Sequence, residues 1–145
     1  MIRVHVGAAP IDIAAELEAV ESLAGAVASF TGLVRADDGV TRLTLEHYPG
    51  LTERVLTELA EQARTRWSLL AATIVHRVGP MVPGDRIVFV ATAAAHRHAA
   101  LEACGYLIDR LKTDAPFWKA EARGDRTTWV EPRAADDAAA ARWSD

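Results

Sequence analysis

Sixteen basic residues occur in this 145-residue chain, and fourteen of them are arginine. The two lysines, Lys112 and Lys119, stand seven residues apart in Leu111-Lys112-Thr113-Asp114-Ala115-Pro116-Phe117-Trp118-Lys119. The two kinds of cation are not equivalent. A guanidinium stays protonated, whereas a desolvated ammonium can lose its proton and act as acid, base or nucleophile. Arginine nearly everywhere and lysine in one place points to such chemistry there, although two residues out of sixteen also cluster by chance.

A second candidate is His96-Arg97, placed where a strand pattern hands over to a helix pattern. A helix N-terminus offers free N–H groups and a partial positive charge, which suit an anion. A histidine and an arginine there add charge-assisted donors, or form a solvated first turn. Arg35 follows an apolar strand at its exit into a turn, a common place for ligand contacts. His98 and His96 form an H-x-H pair without a third ligand, so the five histidines do not read as a metal site. The single cysteine, Cys104, excludes an internal disulfide and lies on an apolar helical stripe, as a small buried hydrophobe would. Walker, dinucleotide-binding, nucleophile-elbow and zincin motifs are absent.

These residues need a scaffold, and 145 residues suffice for one domain with one core. Half of the residues are hydrophobic and a quarter charged, which fits a globular chain and excludes a disordered or collagen-like one. The N-terminus alternates Ile2, Val4 and Val6 like a strand and lacks a signal peptide's apolar core, and no apolar run reaches membrane-spanning length. A cytoplasmic protein is expected. The net charge of −4 argues against general nucleic-acid binding. Residues 86–133 nevertheless hold eight basic against six acidic residues, room for one small anion.

Hydrophobic spacing predicts a strand at the N-terminus and a helix after Pro10 on Ile13, Leu17 and Val20. A buried strand over 26–34, a turn at Asp37-Asp38-Gly39 and a half-exposed strand to His47 follow. Thr52 is expected to cap a helix over 53–67. Strands over 73–78 and 86–94 come next. A helix from Arg97 carries Leu101, Cys104, Leu107, Ile108 and Leu111 and stops before Pro116. A hairpin turns at Gly124-Asp125, and the alanine-rich tail forms a short helix. Along residues 118–123, Lys119, Glu121 and Arg123 share one face. Helices interleaved with strand pairs favour an α+β domain with a mainly antiparallel sheet.

Five segments, in order, resemble the large, catalytic subunit of molybdopterin synthase. They are Phe30-Thr31-Gly32-Leu33-Val34-Arg35, Leu45-Glu46-His47-Tyr48-Pro49-Gly50, Pro83-Gly84-Asp85, Ala95-His96-Arg97 and the lysine segment Leu111 to Lys119. The resemblance implies an α/β-hammerhead-like single domain over residues 1–145. It implies a sulfurtransferase of molybdenum cofactor biosynthesis, converting cyclic pyranopterin monophosphate into the dithiolene of molybdopterin without a cofactor. The sulfur comes from the thiocarboxylated C-terminal Gly-Gly of a small ubiquitin-like subunit. The assembly is a heterotetramer built on a homodimer of large subunits. Lys112 and Lys119 match the catalytic lysines. His96, Arg97 and Arg35 match substrate contacts, with Leu33 and Val34 on the same loop and Ala120 and Glu121 following Lys119. Arg133 matches an arginine that reaches across the dimer. Leu33 and Ala120 are apolar where the family admits basic residues, which points to backbone contacts there. The competing class is a non-catalytic module binding a small anion, or an inactive scaffold paralogue.

Overall fold

A computed structural model describes residues 1–22, 24–130 and 134–143. The elements run β1 (Ile2–Gly7), α1 (Ile13–Glu21), β2 (Ala26–Leu33), β3 (Arg42–His47), α2 (Leu51–Trp67), β4 (Ala71–Arg77), β5 (Gly79–Met81), β6 (Arg86–Ala94), α3 (Arg97–Asp114), β7 (Phe117–Arg123), β8 (Arg126–Val130) and α4 (Ala134–Ala141). They build two four-stranded sheets, ordered β1-β4-β6-β2 and β5-β3-β7-β8. Among the described residues only β1 and β4 pair in parallel; the other pairs are antiparallel.

The first sheet carries the core on both faces. Val88 and Val90 of β6 turn toward Leu56, Leu59, Ala103, Leu107 and Leu111 of α2 and α3. Phe89 and Ala91 turn the other way, against Ile11 and the flanking Ile13 and Leu17 of α1. Cover on both sides explains the apolar run Ile87-Val88-Phe89-Val90-Ala91 of β6. The second sheet packs through a smaller cluster of Val34, Leu43, Leu45 and Met81.

A short corner joins the sheets. β4 ends at Arg77, and Gly79 takes φ +85° before β5 pairs with β3. Beside it the chain leaving β2 is tied to the turn before β6. The Val34 N–H donates to the Asp85 carbonyl at 2.9 Å, and the Gly84 N–H donates to the Val34 carbonyl at 2.8 Å. Beside the middle of α3, Trp143 pins the C-terminal segment. Its Nε1 donates to Asp109 Oδ2 at 2.7 Å, and its ring meets Trp67 and Tyr106 edge-on.

Four local expectations are corrected. β2 is an edge strand, not a buried one; it pairs only with β6, leaving Phe30 and Leu33 exposed. β5 is an additional strand, because Gly79-Pro80 turns a corner into a short edge strand. Thr52 lies inside α2, fully buried, and its hydroxyl donates to the Tyr48 carbonyl at 2.9 Å. Gly50 is the residue preceding α2, and its N–H donates to Glu53 at 3.0 Å. Leu101 is 61% exposed on α3, because Ala100, Ala103 and Cys104 fill that helix face instead.

Candidate active site

A cavity of about 520 Å³ opens where the two sheets meet the end of α3. Arg35, Lys112 and Lys119 all reach its wall, from the loop after β2, the last turn of α3 and β7 respectively. Leu43, Leu45 and Ile87 supply apolar surface, and Asp136 of α4 adds a carboxylate. A neighbouring hollow of about 170 Å³ shares Arg35, Leu43, Ile87, Lys112 and Lys119 and adds Leu33, Val34, Glu121 and Arg123.

Strand register accounts for this convergence. Lys119 stands opposite Leu45, and Glu121 opposite Leu43. Cross-strand partners share a face, so one alternation places the lysine and the carboxylate over the apolar floor. Lys112 is carried there by the end of α3, where the helix dipole also favours a cation. Its charge bears on the wall residue His76. Arg35 lies 3.4 Å from Asp37, with both side chains about two-thirds exposed. Three cations around one partly apolar cavity suit an anionic ligand with a flat or apolar portion.

The other expected residues lie elsewhere. His96 and Arg97 are exposed at the start of α3. Fifteen residues of helix separate Arg97 from Lys112, about 22 Å of rise. The β2–β6 register gives the same answer. Leu33 pairs with Arg86 near the cavity, whereas Ala26 pairs with Ala94 at the His96 end. Ala120 is buried and lines neither hollow. Arg133 falls outside the described residues.

Phe117 and Trp118, the aromatics just before Lys119 in sequence, also line the wall, whereas His76 and Asp136 are two wall residues that sequence reasoning did not single out. His76 sits in the apolar strand Ala-Ala-Thr-Ile-Val-His-Arg, where a lone histidine could have drawn notice. It is 4% exposed, and burial, followed by the charges of Lys112 and His47, drives its pKa down to about 4 despite the bond to Arg77. Stability follows from this. Above pH 6.5 the imidazole is neutral in both folded and unfolded chains. Below it the unfolded chain binds the proton first, so folding weakens down to about pH 4. The full loss is roughly 3 kcal/mol. Urea midpoints measured from pH 7 to 4 should fall accordingly, and a His76→Phe variant should lose that component.

Cys104 is buried, and burial pushes its thiol up to about 11. A neutral, shielded thiol is a poor nucleophile. Alkylation of the native protein should therefore be slow and leave activity intact; rapid modification with loss of activity would make this thiol part of the chemistry. Among the described residues no group of three or more His, Cys, Asp or Glu is placed to hold a metal ion.

Comparison with known proteins places the chain. Residues 6–114 match the family described as MoaE protein. The molybdopterin synthase catalytic subunit of Yersinia pestis is 54% identical over 122 residues, 82% of this chain and 81% of the relative. That of Salmonella typhimurium is 48% identical over 146 residues, 97% of each chain. The solved structure of the molybdopterin biosynthesis MoaE protein from Burkholderia ambifaria superposes with a TM-score of 0.85 at 45% identity, covering 99% of this chain and 98% of that one. A cavity built by two lysines and an arginine, on a fold and sequence shared along nearly the whole chain, therefore belongs to a member of the MoaE protein family.

Proposed function

We propose that this chain, as one domain over residues 1–145, is the catalytic subunit of molybdopterin synthase, a sulfurtransferase of molybdenum cofactor biosynthesis. It moves two sulfurs onto cyclic pyranopterin monophosphate and so forms the molybdopterin dithiolene. The observation that carries the reading is the meeting of Lys112, Lys119 and Arg35 in one cavity. A thiocarboxylate on the C-terminus of a small ubiquitin-like subunit supplies the sulfur, since Cys104 is shielded. In each transfer the sulfur bonds to a pterin carbon, water adds to the acyl carbon as the tail's C–S bond breaks, and the tail leaves as a carboxylate. Lys112 and Lys119 hold the thiocarboxylate, stabilise developing oxyanions and move protons at the pterin carbons. Arg35 meets the substrate from the loop that presents Leu33 and Val34, and Glu121 flanks Lys119. Ala120 contributes through its backbone. No helix among the described residues is long and apolar enough to cross a membrane, and the cytoplasm is the proposed compartment.

His96 and Arg97 cannot share a ligand with Lys112 inside one protomer, at about 22 Å along the helix. In a homodimer within the heterotetramer, the second large subunit brings its own His96 and Arg97, with Arg133, to the phosphate and pterin ring. Arg97→Ala should then weaken substrate binding roughly 10- to 150-fold, the value of a charged hydrogen bond, with Tm nearly unchanged. Co-expressing Arg97→Ala with Lys119→Ala chains should restore turnover, because half of the mixed assembly's sites are intact. No recovery would place both residues in one protomer's site, against this reading.

A further inference from the structure

The loop that carries Arg35 is tied down at both ends. Val34, where it leaves β2, is hydrogen-bonded to Gly84 and Asp85. Thr41, where it enters β3, donates its N–H to the Ala122 carbonyl at 2.8 Å and its hydroxyl to the same oxygen at 3.2 Å. Between them the chain turns through Asp38, which sits in the left-handed region at φ 56° and ψ 28°. That conformation is costly for a residue other than glycine and persists where the surroundings hold it. The ion pair of Arg35 does not supply the hold, since its partner Asp37 belongs to the same loop.

The hold comes from β7. Arg123 ends that strand and shares the smaller hollow with Lys119 and Glu121. Its Nε donates to the Asp38 carbonyl at 2.8 Å, and its Nη2 donates to Glu121 Oε1 at 3.4 Å. One guanidinium thus spans the turn of the loop and a carboxylate on the strand of Lys119. A planar fork with donors on several nitrogens suits two acceptors in different places, which the single nitrogen of an ammonium does not. Arg35 and Asp38 line the same hollow from the loop side.

We propose that Arg123 is a positioning residue for Arg35: by tying the Asp38 carbonyl to Glu121, it holds the loop in the arrangement that presents Arg35 to the anionic substrate. The inference rests on the reading of Arg35 as a substrate contact. Without the tie the loop spends part of its time in other arrangements, and apparent affinity falls with the competent fraction. Binding weakens while the reacting lysines keep their places on α3 and β7.

The test uses the complex with the thiocarboxylated small subunit. Arg123→Gln should raise the KM for the pterin about 10-fold or more, the value of one charge-assisted hydrogen bond, with kcat within about threefold. The same change in an Arg35→Ala background should add less than about twofold, because the loop then has no arginine to present. Additive losses would show Arg123 acting independently of Arg35, and an unchanged KM in Arg123→Gln would show the tie idle; either overturns the proposal. Amide hydrogen exchange reads the loop without turnover. Residues 35–40 should exchange at least about 10-fold faster in Arg123→Gln, and equal rates refute the tie whether or not the wild-type chain makes molybdopterin. Should the variant fail to fold, 15N NMR of the wild-type protein decides. The Arg123 Nε–H should exchange with solvent more slowly than that of the exposed Arg126, and equal rates overturn the assignment. Arg35→Ala separates the two levels. Normal KM there removes Arg35 from the site and this proposal with it. A raised KM there, with wild-type KM in Arg123→Gln, overturns the Arg123 assignment alone.

Discussion

Lys119→Ala is expected to lower single-turnover sulfur transfer by about 10²–10⁴-fold or more, while the complex with the small subunit still forms. Lys119 is half-buried on β7, an interior strand of its sheet, with Leu45 and Val130 as its cross-strand neighbours. Such a side chain is held by the sheet over the cavity floor, and it does not sample solvent as a surface lysine would. Lys119→Arg is expected to fall nearly as far. Arginine keeps the charge but is longer, planar and unable to give up its proton. Near-normal turnover in Lys119→Arg would reduce the residue to an electrostatic contact. Docking of the small subunit, measured separately, keeps lost binding from being mistaken for lost chemistry.

Lys112→Ala is expected to show a loss of the same order, about 10²–10⁴-fold, with little change in Tm. Its side chain is exposed and covers no core, so truncation removes little packing. The helix-end position favours a cation by only about 0.3–1 kcal/mol, too little to unfold the chain. Lys112→Arg preserves that dipole interaction and the charge on the cavity. It is therefore expected to retain more activity than Lys119→Arg, though still well below wild type. A Lys112→Arg variant at full rate would leave this lysine a binding role only.

The alternation in residues 118–123 already placed Lys119, Glu121 and Arg123 on one face, and the structure makes that face the cavity wall. Pro116 correctly ended α3, which is what sets Lys112 in its last turn. Local pattern could not disclose that the strands divide between two sheets. Pairings such as Leu45 with Lys119 and Thr73 with Ala91 are long-range, and each strand's own sequence suits either sheet. Edge position was equally hidden: β2 is as apolar as a buried strand, yet it pairs only with β6. His76 went unnoticed because its place at the cavity wall is set by a stacking partner 41 positions away, Phe117, on the other sheet. His96-Arg97 looked like a companion to the lysines because motif order carries no distance; the length of α3 separates that pair from Lys112.

The most direct test mixes this protein with a thiocarboxylated small subunit and cyclic pyranopterin monophosphate, then assays for molybdopterin in a single turnover. The account predicts dithiolene product, with the small subunit returned as a free carboxylate, and product formed at least about 10²-fold more slowly when Lys119→Ala replaces the wild-type chain. Binding of the pterin and the small subunit without any molybdopterin would contradict it and leave the chain a non-catalytic anion-binding scaffold.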